Sequence, residues 1–299
     1  MEAETVNDIP ENTELRKIRL IWRKVKDFGF QYRKNRAAVV GLFITSFFVL
    51  MAIIGEHVAP YDPWAIGQDS FTKPCAKYLF GTDDLGRDIY SGVLYGARVS
   101  IIVGLACAII ATAFGIIIGS IAGYRGGIVD NLLMRVTDFF LVIPEFFLVL
   151  VMAALFGSSV VNIILVIAGL SWGPTARLVR SEFLSLREQE FVEAARSIGL
   201  KDFSIVFKEI LPNALSPAIV AGTLLVARAM LTEAGLSFLG LGDPNVISWG
   251  TQLFNAQQIL REAWWAVFFP GMSIFFMVLG SNLVGDGIND ALNPKLKEK

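Results

Sequence analysis

Apolar and polar positions fall in long blocks along this chain, and six of the apolar blocks approach the roughly 20 residues that a helix needs to cross a bilayer. The first covers residues 37–55, AAVVGLFITSFFVLMAIIG, and the second residues 99–123, with Gly104, Gly115 and Gly119 along it. The third, 139–156, is broken by Pro144 and Glu145, and the fourth, 160–176, is short and interrupted by SWGP. The fifth, 214–236, contains Arg228 and Glu233, and the sixth covers 264–284. The pattern predicts an all-α membrane protein with six transmembrane helices.

The polar blocks have patterns of their own. Before the first span, Leu15, Ile18, Trp22, Val25 and Tyr32 fall near one helical face, surrounded by Arg16, Lys17, Arg19, Arg23, Lys24 and Lys26. That suits a basic amphipathic helix on an anionic inner leaflet. In FGTDDLGRDIYSGVLYGARVS, residues 80–100, Thr82 or Asp83 would cap a short helix at the outer interface, with Leu85, Ile89 and Val93 recurring every four residues. Asp83, Asp84 and Asp88 lack the alternating spacing of a calcium loop, and Arg87 sits among them.

The block EAARSIGLKDFSIVFKEILP, residues 193–212, predicts two short helices joined at a bend. Gly199 ends the first, Asp202 would cap the second, and Pro212 marks the start of the next element. Ala194 and Ala195 leave a smooth surface, and Phe203 and Phe207 share one face. Two roles fit: docking into a groove on another protein, or a hairpin that links two spans and packs under the bundle.

Charge orients these blocks. Of the 26 Lys and Arg, nine lie in residues 1–36, two in 124–138, six in 177–208 and three in the C-terminal tail. With six spans all of these share one side, leaving four in the 56–98 loop and Arg261 on the other. The excess of basic residues puts both termini and the 193–212 block in the cytoplasm. Apolar residues make up 54% and charged residues 18%, below the roughly 25% charged residues of soluble domains. A net charge of −1 gives no sign of a nucleic-acid partner. Cys75 lies in a polar loop and Cys107 in an apolar run, an unpromising pair for a disulfide. The first apolar run follows a long charged tail and is expected to stay as an anchor.

Catalytic chemistry is sparse. His57 is the sole histidine, so there is no HExxH and no zinc ligand set, and no P-loop for binding ATP. Ser158 and Ser159 lack an evident base. The charges within or at the ends of spans, Asp138, Glu145, Arg228 and Glu233, are costly there. They either pair between helices or line a translocation path, for which Arg228 and Glu233 are the candidates. Five residues apart, these two lie about 140° round a helix and do not pair with each other.

Glu193-Ala194-Ala195, Gly199 and Leu211-Pro212 together resemble the cytoplasmic EAA loop of ABC importer permeases. GTDDLGRD at 81–88, AGYRGGIVDNLLMRVTD at 122–138, LTEAGLSFLGLG at 231–242 and SNLVGDGINDALNPK at 281–295 resemble the C-type subunit of the dipeptide/oligopeptide branch. The resemblance runs from about Arg33 onward. It departs at Glu209, where the motif has an apolar residue, and at Ile288-Asn289 and Asn293-Pro294 in the terminal motif. DPNVISWG, after LGLG, also lacks a double proline.

The resemblance implies a type I importer permease fold with a cytoplasmic coupling helix, in the cytoplasmic membrane of a prokaryote. Residues 1–36 would be a basic tail, 37–98 the first span and external loop, 99–290 the core with its coupling loop at about 181–213, and 291–299 a short tail. It implies a non-catalytic subunit that moves di- or oligopeptides, or in some relatives oligosaccharides or nickel. Its implied partners are a second, homologous permease subunit, two ATPase subunits carrying ATP and Mg, and an external solute-binding protein. Glu193, Ala194, Ala195, Gly199, Phe203, Phe207, Leu211 and Pro212 would couple it to an ATPase. An ion-coupled carrier is the competing class; it would use Arg228 and Glu233, but internal repeats are not evident in the sequence.

Overall fold

The computed structural model describes residues 13–292, with the backbone alone for 13–21, 24 and 25. The expected amphipathic pattern at Leu15, Arg16, Lys17, Ile18, Arg19, Lys24 and Val25 lies outside the described side chains, as does the whole of the 293–299 tail. Among the described residues the fold is helical, with one bridge between Thr82 and Asp88. α1 (Thr13–Lys34) stops at Asn35, whose side-chain oxygen accepts from the Ala38 amide at 3.1 Å and caps α2 (Arg36–Val58). α3 (Ile89–Arg125), α4 (Gly127–Val142), α5 (Glu145–Phe156), α6 (Val160–Ser171) and α7 (Gly173–Leu186) follow. After α8 (Glu190–Ser197) and α9 (Asp202–Ser204), a wide π turn (Ile205–Ile210) leads into α10 (Leu211–Leu236). α11 (Trp249–Ala256) and α12 (Trp265–Leu292) complete the chain.

Five continuous helical stretches are long and apolar enough to cross a membrane: Arg36–Val58, Ile89–Arg125, Val160–Leu186, Asp202–Leu241 and Trp265–Leu292. α4 and α5, bent by 86° at the break between them, are long and apolar enough for a sixth crossing when the pair is taken as one span. The pair is pinned at opposite ends of the bundle. Near its start Asp130 binds Arg180, close to the α8 end; just after it the Val160 amide donates to Asp243 Oδ2 at 3.1 Å, at the other end. The bend falls at Pro144, where the expected break lies. Pro144 has no N–H and pushes Ile143 into extended backbone, so the helix stops. The exterior is apolar: Phe43, Phe47 and Ile53 on α2 and Ile109 and Ile117 on α3 are exposed. Only hydrocarbon makes such a surface favourable.

α3 is the hub, packed against α2, α6, α7 and α10, while α12 packs on α2 and α10. Small residues allow this. A Cβ on Gly115 would sit 2.7 Å from Thr175 Cβ, one on Gly119 2.5 Å from the Ala176 carbonyl oxygen, and one on Gly123 2.5 Å from Phe183 Cβ. The three glycines, four apart, form one stripe on which α7 lies nearly backbone to backbone. Gly104 does the same for Met230 of α10, and Gly41 for Leu283 of α12.

Two expectations are corrected. The second crossing starts at Ile89, so no separate interfacial helix exists at 80–98, and the cap is Asp88, which accepts from the Ser91 amide at 2.8 Å. Thr82 and Asp83 are used otherwise. Thr82 Oγ1 donates to the Asp69 carbonyl, and Asp83 Oδ1 accepts from the Leu85 and Arg87 amides, closing a tight loop. Gly81 and Gly86 have φ of 78° and 72° in that loop, which excludes a helix. The SWGP stretch also interrupts less than expected. Trp172 keeps helical backbone, and Pro174 falls in the first turn of α7, where its missing N–H costs little.

The stripe on α3 yields a direct test. Gly119→Ala forces backbone apart and is expected to cost about 1–3 kcal/mol, seen as a lower midpoint of thermal unfolding in detergent. Gly169→Ala, where a Cβ meets nothing within 4 Å, should leave that midpoint unchanged or slightly raised.

Candidate functional site

The segment between α7 and α10 has two faces of opposite character. Val192 and Ala195 point inward and pack with Val179, Phe183, Ile205 and Ile210. Phe191, Ile198, Leu200, Phe203 and Phe207 point outward and are exposed. Phe203 is 73% exposed, and its ring lies 4.4 Å from that of Phe207. Glu193 and Ala194 are also exposed, whereas Ala195 belongs to the inner face. Pro212 is exposed and Leu211 half-buried.

Gly199 shapes the bend between these helices. Its φ is 79°, and nothing lies within 4 Å of a Cβ built on it. The Gly199 amide donates to the Arg196 carbonyl at 2.9 Å and the Leu200 amide to the Ala195 carbonyl at 3.2 Å, which is the Schellman arrangement. Backbone conformation is therefore what requires glycine here, not space. Asp202 does not cap the next helix as expected. Lys201 holds the cap position, and Asp202 instead accepts from the Tyr124 hydroxyl at 2.6 Å, tying the segment to the end of α3.

The second short helix is not separate. Asp202–Leu241 forms one helical stretch of 40 residues. The π turn before Pro212 explains how the chain passes that proline. The Leu211 amide reaches back to the Val206 carbonyl, and the widened turn leaves room where a proline ring would meet the preceding carbonyls.

Within the membrane the charges pair across helices. Arg228 Nη2 on α10 donates to Glu145 Oε2 on α5 at 2.7 Å, and the Ser171 hydroxyl donates to the other oxygen of Glu145. Glu145 sits in the first turn of α5, the end that favours a carboxylate. Glu233 is buried on another side of α10. Its Oε1 accepts from Ser237 and Ser248, each at 2.8 Å, which fastens α10 to the capping residue of α11. The two path candidates thus separate: Arg228 has 61% of its side chain exposed, and Glu233 is 3% exposed. Asp138 binds Arg177 at 2.5 Å, and Asp130 takes Arg180 in a two-bond fork at 2.5 and 2.6 Å. The roles of Ser171, Asp130 and Arg180 went unread in the sequence. For Asp130 and Arg180 the available signal was opposite charge in two polar blocks on one side of the membrane; Ser171 gave none.

At the far end from α8, loops close over the bundle. Trp249 Nε1 donates to the Val93 carbonyl at 2.9 Å and Trp265 Nε1 to the Thr82 carbonyl at 3.1 Å. The same end holds a cavity of about 320 Å3 lined by Trp64, Asp84, Asp243 and Asn255 among others. Asp69 accepts from Lys77 and Tyr78, which holds its carboxyl below the usual range. Ser159 caps α6, His57 is exposed at the end of α2, and Cys75 and Cys107 are both free thiols.

Residues 115–298 match the family described as binding-protein-dependent transport system inner membrane component. Residues 19–74 match the N-terminal TM domain of oligopeptide transport permease C. The chain is 42% identical to a dipeptide transport system permease protein of Alkalihalophilus pseudofirmus, over 89% of this chain and 88% of that one. It is 40% identical to an oligopeptide transport system permease protein of Bacillus subtilis, over 91% and 90%. A dipeptide transport system permease protein of Haemophilus influenzae is 36% identical, over 92% and 96%.

The tether at Asp202 can be tested without knowing any partner. Tyr124→Phe removes a hydrogen bond of about 1 kcal/mol, so tryptic cleavage after Lys201 in the purified protein should quicken roughly fivefold. Tyr61→Phe, whose hydroxyl makes only a 3.4 Å contact with the Lys77 carbonyl at the other end, should leave that rate unchanged.

Proposed function

The chain belongs to the family of binding-protein-dependent transport system inner membrane components, and on that premise we propose how its two faces divide the work of import. It is a membrane-spanning subunit of a peptide importer and carries no catalytic centre of its own. The finer reading concerns its partners and orientation. The α8 end faces the cytoplasm, where the basic residues concentrate, with both termini on that side. There α8, Gly199 and the Phe203–Phe207 pair seat in a groove of an ATPase subunit, one of two that bind ATP and Mg. A second, homologous permease subunit flanks the chain in the membrane. A solute-binding protein docks on the loops at the opposite end and delivers di- or oligopeptides.

One observation carries this reading: the exposed Phe203–Phe207 pair lies on the same helical stretch as the membrane-crossing α10, continuous from Asp202 through Leu236 and kinked only beyond it, at Gly240. A pull on the pair moves the span itself, with no loop between to absorb it. The inner face of the same segment is fixed to α7 by Val192, Ala195 and Ile205. Movement at the docking face therefore reaches two spans together. The chain thus works as a transmission, with ATP closing the partner subunits and the spans alternating between inward-open and outward-open.

In vesicles containing all subunits, peptide uptake should require ATP and the ATPase partners. Uptake by this chain alone on an ion gradient would refute the reading. Gly199→Val places a β-branched residue in the left-handed region, at roughly 1–2 kcal/mol. It should reduce uptake per ATP hydrolysed while membrane insertion is normal, and Gly199→Asn, which tolerates that backbone, should retain most coupling. Phe203→Asp should lower ATPase co-purification with the complex, whereas Phe43→Tyr on the lipid face of α2 should not.

A further inference from the structure

Arg228 offers more hydrogen-bonding capacity than the protein uses. It donates one side-chain hydrogen bond, to Glu145, out of the five N–H donors of a guanidinium. Glu145 is the anchored member of the pair, held by Ser171 and 27% exposed, while 61% of the Arg228 side chain is open. A guanidinium well inside a span does not face hydrocarbon. Next to it, the break at Pro144 leaves the last carbonyls of α4 without helical partners, which hydrocarbon would not accept either. α5 reaches this part of α10 closely, since a Cβ on Gly235 would lie 3.1 Å from the Phe146 ring. The Glu145–Arg228 face is therefore turned to water or protein.

We propose that Arg228 binds the C-terminal carboxylate of the transported peptide as it passes this face, with Glu145 and Ser171 as positioning residues. The inference rests on the peptide-importer reading. A planar guanidinium with free donors matches a carboxylate through paired hydrogen bonds. Glu145 keeps that binding weak, because the incoming carboxylate must share the cation with one already in place. A path needs that weakness, as a tightly held solute would not leave.

The test is uptake by the complete complex in vesicles, with one peptide supplied as free acid and as C-terminal amide. The binding protein is the same in every arm, so its own preference cancels between variants. Arg228→Gln should reduce uptake of the acid about tenfold or more relative to the amide. Arg228→Lys keeps the charge but loses the fork, and should reduce the same ratio severalfold. Equal loss for both peptides, or an unchanged ratio, overturns the proposal. If Arg228→Gln fails to accumulate in the membrane, the ratio in Arg228→Lys decides by the same criterion. If the unaltered complex moves another solute on ATP but neither peptide, the peptide reading fails and the inference falls with it. If it moves peptide with a ratio indifferent to Arg228, only the inference fails.

Discussion

Along α3, Gly115, Gly119 and Gly123 let α7 approach until side chains on one helix would strike backbone on the other. The rest of the bundle depends on that closeness. In a membrane, apolar side chains gain little by leaving lipid for protein, so close contact and satisfied polar groups carry the association. With α7 seated on the stripe, Arg180 comes within reach of Asp130, which anchors the start of the bent α4–α5 pair. Phe183 is pressed into the base on which Val192, Ile205 and Ile210 settle. The position of the exposed phenylalanines thus follows from glycines one helix away.

Charges in the spans obey a related economy. Asp130, Asp138 and Glu145 each meet an arginine from another helix, and Glu233 meets two hydroxyls. These contacts join elements that the apolar packing alone would leave free to slide. Glu233 binds α10 to α11, and Glu145 binds the bent pair to α10 and, through Ser171, to α6. The polar groups sit where the backbone departs from regular helix, at Pro144 and near Ser237, so they hold the irregular points in register.

Much of this was legible in the sequence. Apolar run length located the five continuous crossings and the α5 half of the bent pair, because a bilayer imposes a length that no tertiary contact can alter; most of α4 was read as a loop. Pro144 and Gly199 were legible for the same kind of reason: one lacks an amide hydrogen, and the other is suited to a left-handed bend. The errors arose where tertiary partners outbid local propensity. Thr82, Asp83 and Asp202 are all good caps by type, yet each is engaged elsewhere, by Asp69, by Arg87 and by Tyr124. The continuity through Pro212 was hidden because helix rules assume four-residue hydrogen bonds, and here one turn reaches back five. That Ala194 is exposed and Ala195 buried could not be read from the alanine pair, since two adjacent small residues do not show which member turns inward. The meeting of Glu145 with Arg228 joins residues 83 apart in the chain, and no local pattern encodes that.

The wide turn between Ile205 and Ile210 has a further meaning. A π turn holds one residue more than the α turn it replaces, and one residue of α-helix is about 100° of rotation. It therefore sets the angular phase between the exposed ring of Phe203 and the guanidinium at Arg228, much as a keyed shaft fixes two cams. Elsewhere in the stretch, a one-residue insertion or deletion would turn one end about 100° relative to the other and carry the buried residues on that side, such as Ala218 or Met230, out of their contacts. The stretch is thus more sensitive to residue count than to residue identity.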